Sequence, residues 1–153
     1  MGALLKELRE GRNVEAEKAI REIGTNALPE LLQMAGATNS AVRKSLLGLA
    51  RRQSALAFDF RDAAETRELA ACGFHALGSI AKGAVPALTN LVSNPDPEVQ
   101  RAAIACLGSI GAAAQDAVPA LILEITNTDR MVRATDKFAL GNIHSQPTIA
   151  VRA

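Results

Sequence analysis

The sequence predicts an all-α fold, a right-handed α-solenoid of about five stacked helix pairs, on three observations. Short words recur in a fixed order along the 153 residues: an apolar-Gly-x-Ile stop, an Ala-(Val/Leu)-Pro start, and an acidic turn running into Val-Arg. Hydrophobic residues make up 48% of the chain but aromatics only 3%, with four Phe and no Trp or Tyr. Apolar positions recur at helical spacing between the words. Self-similarity at a period of about 20–50 residues marks a stacked array in which each unit contacts its neighbours. An apolar fraction made mostly of Ala, Leu, Ile and Val suits closely packed helices, and Ala and Leu are strong helix formers.

The stop words align at Ile23, Ala50, Ile80, Ile110 and Ile143, at intervals that each hold two helices and short turns. The units this predicts span about 2–24, 27–52, 54–82, 84–112 and 116–144, a single domain with a tail at 145–153. In the first, Ala3 to Glu10 set Leu4, Leu5 and Leu8 against Lys6, Glu7, Arg9 and Glu10, an amphipathic end cap. Gly11 stops that helix, and Asn13 is positioned to cap a second one reaching Ile23. The next unit opens at Ala27-Leu28-Pro29, turns at Asn39-Ser40 into Val42-Arg43, and ends near Leu47-Gly48.

Unit three is irregular. Its second helix, about Asp62 to Ile80, carries the stop Leu77-Gly78-Ser79-Ile80, but its first, around Ser54 to Phe60, lacks the Ala-x-Pro opening. Unit four is the clearest. Pro86 stands in a first turn, where a missing N–H costs nothing, and Asp96 caps a helix opened by Pro97. Val99, Ala103, Cys106, Leu107 and Ile110 then form one apolar face, with Gly111 as a left-handed exit. Unit five repeats this from Ala117 to Ile125 and from Val132 to Ile143, across the turn Asn127-Thr128-Asp129.

Gly48, Gly78, Gly108 and Gly141 recur inside helical stretches at a cost of about 1 kcal/mol each against Ala, which predicts close helix approach at those points. Arg43 and Arg133 follow the turns at helix N-termini, where a cation opposes the dipole. Each is expected to bond an acidic or carbonyl group of an adjacent turn.

The combination of Ala-Val-Pro-Ala-Leu, Asp-x-x-Val-Arg and Leu-Gly-x-Ile-Gly resembles HEAT-like repeats, particularly the short bacterial kind. The match is best from Asp62 to Ile143 and weakest across Arg51 to Arg61. The resemblance implies an armadillo-like helical scaffold for protein binding, with the second helices lining a concave face. It carries no catalytic residues onto this chain. HEAT-like hydroxylases use His-Glu pairs, and here the two histidines, His75 and His144, stand in no such pair. HEAT-like DNA glycosylases use aromatic residues in a basic cleft, and Trp and Tyr are missing.

No motif for catalysis, metal or cofactor is present, so the chain reads as a non-enzyme without cofactors. Cys72 and Cys106 lie in Ala-rich helical runs and read as small buried hydrophobes. There is no run of about 18 apolar residues, so no membrane span is expected, and the chain as written reads as soluble and cytoplasmic. Charge balances at +1, but residues 38–61 hold five basic residues and one acidic, whereas 62–111 hold three basic and five acidic. The strip Arg43, Lys44, Arg51, Arg52 and Arg61, together with His75, is the expected partner-binding site. The expected partner is another protein, with self-association through the C-terminal unit as a second contact. The alternative is a nucleic-acid-binding HEAT-like module using the basic strip at 43–61.

Overall fold

The structure, a computed structural model, describes residues 2–9, 14–38 and 62–145. They form eight α-helices: α1 Gly2–Arg9, α2 Val14–Ile23, α3 Leu28–Ala35, α4 Ala63–Leu77, α5 Val85–Val92, α6 Pro97–Ile110, α7 Val118–Glu124 and α8 Arg130–Ser145. No strand occurs among the described residues. The helices pack as pairs (α1/α2, α3/α4, α5/α6, α7/α8), and α2, α4, α6 and α8 lie in that order as one layer.

Local chemistry explains the element ends. The second helices α4, α6 and α8 begin at an Asp whose carboxylate accepts from a first-turn N–H: Asp62 from Ala64, Asp96 from Glu98, and Asp129 from Met131 and Val132. Such caps satisfy donors that the helix itself leaves open. The turns before them repeat too, since Asn94 and Asn127 each accept from the N–H two residues on. First helices α3, α5 and α7 carry Pro29, Pro86 and Pro119 in their first turns and follow 3-10 segments at Gly24–Ala27, Gly78–Ala84 and Gly111–Ala117.

Those 3-10 segments show where the true repeat boundary lies. Gly24, Gly78 and Gly111 have φ of 59°, 52° and 71°, a conformation that favours glycine. Gly78 and Gly111 are 33 residues apart, as are Pro86 and Pro119. The matching tetrapeptides Leu77–Ile80 and Leu107–Ile110 are only 30 apart and therefore out of phase with the fold. In the first, the glycine ends α4; in the second, Gly108 lies inside α6 and the helix ends three residues later, at Gly111. Close approach thus holds at Gly108, whereas Gly78 has open space around it and serves as a terminator. Gly48 lies outside the described residues.

Among the described residues α3 packs against α4. Arg67 of α4 donates to the carbonyl of Ala37 in the turn after α3, at 2.7 Å. Gln100 closes the α5/α6 pair in the same way, donating to the Val92 carbonyl at 2.6 Å. Arg133, as expected, reaches the Asn127 and Thr128 carbonyls at 2.6 and 3.0 Å. Arg67, Gln100 and Arg133 are 33 residues apart, so one position per second helix ties down the preceding turn. The helices expected near 40–52 and 54–60, and with them Arg43, lie outside the described residues.

The core runs between the layers as repeated columns. Ile20, Phe74 and Leu107 occupy one position in three successive second helices, and Leu31, Leu88 and Leu121 one position in three first helices; all are fully buried. Residues 97–124 are apolar enough on average to resemble a membrane span. They are two separate helices that change direction at Gly111, and their buried faces belong to this core.

Candidate functional site

The layer of second helices carries two adjoining grooves. One, of about 280 Å³, crosses from α4 over α6 to α8 and is lined by Ala64, Arg67, Glu68, Glu98, Arg101, Ala102, Ala105, Met131 and Thr135, with Ala71 at its edge. The other, of about 290 Å³, lies between α2, α4 and α6 against Ala71, Cys72, His75, Ala76, Glu17 and Ser109. Ala71 is common to both. The grooves exist because helix-spaced small residues leave room between helices that longer side chains would fill.

Charges line the rim in both signs. Glu98 accepts from Arg101 at 2.6 Å and from Arg67 at 3.4 Å. Arg67 is nearly buried and held twice, whereas Glu68 across the groove is exposed. In the second groove, Arg21 donates to Glu17 at 2.6 Å and to the Ala76 carbonyl at 2.8 Å, tying α2 to α4. The floor is alanine. Such a surface can hold an extended or helical segment by shape, with paired cations and carboxylates as polar partners. Cys106 is fully buried, and burial followed by the nearby Cys72 pushes its thiol up, so the thiolate form is disfavoured. No group of three or more metal-ligating side chains occurs among the described residues.

Of the site residues expected from sequence, only His75 lies among the described residues. It is exposed and walls the second groove. The sequence words place it in register with Ala105 and Phe138, but the 33-residue repeat places it with Gly108 and Gly141. Arg43, Lys44, Arg51, Arg52 and Arg61 lie outside the described residues. Arg67, Glu68, Glu98 and Arg101 were missed because their charges cancel in a segment count. The signal that finds them is register: Glu68 and Arg101 stand 33 residues apart.

One ionisable group sits apart from the grooves. Asp136 occupies the position of Ala70 and Ala103 and, like them, has no exposed surface. Neither carboxylate oxygen has a hydrogen-bond partner. Burial, and secondly the Glu124 carboxylate, push its pKa up to about 6. Glu124 itself is held by Gln100 and Asn127, at 2.9 and 2.5 Å.

Paired helices with capped turns, the last three pairs at a 33-residue interval, and a grooved layer of second helices define an α-helical repeat scaffold. A family profile described as HEAT repeats matches residues 60–141, more than half of the chain, and the chain belongs to that family. HEAT repeats are generally non-catalytic modules for protein interaction or scaffolding. No curated protein matches the chain.

Proposed function

We propose that this chain is a non-catalytic scaffold holding a partner protein along the concave face of a right-handed stack, with all 153 residues in one repeat domain. The observation that carries this reading is the continuous groove over α4, α6 and α8, with its alanine floor and mixed-charge rim. A floor without long side chains lets a partner segment approach the helices closely. The rim supplies donors from Arg101 and acceptors from Glu68 and Glu98. The basic run Arg43, Lys44, Arg51, Arg52 and Arg61 precedes α4 in sequence and would suit an acidic stretch of the same partner, with His75 at the groove wall.

The alternative is that the basic strip at 43–61 binds nucleic acid; the groove rim adds no free cation to it at Arg67 or Arg101, since both pair with Glu98. Two measurements separate the readings. Reversing Glu68 and Arg101 together (Glu68→Arg, Arg101→Glu) should abolish partner capture while the thermal midpoint is unchanged. Titration with duplex DNA at two ionic strengths should show no binding. Salt-sensitive DNA binding together with intact partner capture would overturn the proposal.

A further inference from the structure

The last described pair ends in a face that repeats, position for position, a face already in use. On α6, the stripe Arg101, Ile104, Ala105 and Gly108 receives α8: a Cβ on Gly108 would lie 2.8 Å from the Cα of Ala139. The 33-residue repeat carries that stripe onto α8 as Ala134, Lys137, Phe138 and Gly141, and all four are exposed. Phe138 is 71% exposed, and nothing lies within 4 Å of the Cβ position at Gly141. The same last pair also exposes Ile122 and Leu123, at 53% and 74%, on α7 and Met131, at 55%, on α8. The stacking surface continues to the end of the described layer, and no described residue packs on it.

We propose that a second copy of this chain docks there, α8 against α8, in a two-fold dimer. The stripe is self-complementary. Phe138 projects one helical turn before Gly141, so an antiparallel copy whose axis passes between residues 139 and 140 sets each Phe138 over the other copy's Gly141. The knob fills a notch that no described residue enters. Lys137 of each copy then falls beside residue 142 of the other rather than beside its symmetry mate. Among the described residues the opposite end shows no matching stripe: α2 exposes Glu15, Lys18, Arg21 and Glu22 beside the apolar Val14. A head-to-tail contact would therefore leave Phe138 against charge, and it would not close. The stripe Ala134, Lys137, Phe138 and Gly141 lies outside both grooves, so partner binding and self-association are separable.

Sedimentation velocity on the full chain over a hundredfold concentration range tests this. The wild type is expected to show a reversible monomer–dimer equilibrium. Phe138→Asp and Gly141→Leu should each weaken it by at least tenfold, about 1.4 kcal/mol. Gly141 is helical with open space around it, so Gly141→Leu should fold with an unchanged circular dichroism spectrum and thermal midpoint measured at a concentration where the wild type is monomeric. A wild type that stays monomeric throughout, or a dimer unaffected by both variants, would overturn the proposal.

Discussion

Gly108 and Ala139 meet backbone to backbone where α6 crosses α8: a methyl group at Gly108 would lie 2.8 Å from the Ala139 Cα and 2.9 Å from its Cβ. A backbone atom cannot move aside as a flexible side chain can, so this glycine fixes the distance between α6 and α8. Gly108→Ala gains helix propensity of about 1 kcal/mol but overpacks, and a net loss of roughly 1–3 kcal/mol is expected. Denaturant unfolding at a concentration where the chain is monomeric gives the comparison. Gly73→Ala, which meets only the side-chain ends of Leu31 and Leu5, should cost less, and Gly141→Ala should stabilise slightly.

Asp136 should make stability fall as pH rises. Its pKa is about 6 in the folded chain against an ordinary value of 3.8, so the folded state binds the proton more tightly than the unfolded one. The folded state is therefore favoured below about pH 4. That advantage is lost progressively to pH 6 and is fully gone above it, a change of roughly 3 kcal/mol. Asp136→Ala restores the residue found at positions 70 and 103. It should raise the thermal midpoint at pH 7 and flatten the pH profile between 4 and 6. An unchanged slope in that window would contradict the reading.

Arg67 and Arg101 both pair with Glu98, yet their removal should differ. Arg67 is nearly buried and also holds the Ala37 carbonyl, so Arg67→Met leaves that carbonyl and Glu98 short of a donor; a cost of about 1–3 kcal/mol is expected. Arg101 is partly exposed, and Arg101→Ala should fall within about 0.5 kcal/mol of wild type. Chemical denaturation of the two variants side by side checks the order.

The words that announce the fold were legible because each has a local physical cause. Asp96 and Asp129 cap helices, Pro86 and Pro119 occupy first turns, and Val99 and Val132 are buried behind the caps. The phase was not legible, because Leu-Gly-Ser-Ile serves two roles. Only the following residue separates them: Gly111 allows α6 one more turn, whereas Ala81 after the first copy offers no later exit. The packing of α3 against α4 was hidden by intervening residues 39–61, which carry the same words. The groove escaped because Ala71, Ala102 and Ala105 look like core residues, and only their helical neighbours show that they floor a surface.

The central claim is that a protein partner lies along α4, α6 and α8. Its most direct test is site-specific photo-crosslinking in the native cell, with the reactive side chain at Glu68 on the groove rim and, as control, at Gln115 on the exposed 3-10 segment. A discrete protein adduct from position 68, lost on Arg101→Glu and missing from position 115, is predicted. Identical adducts from both positions, or a nucleic-acid adduct from position 68, would contradict the account.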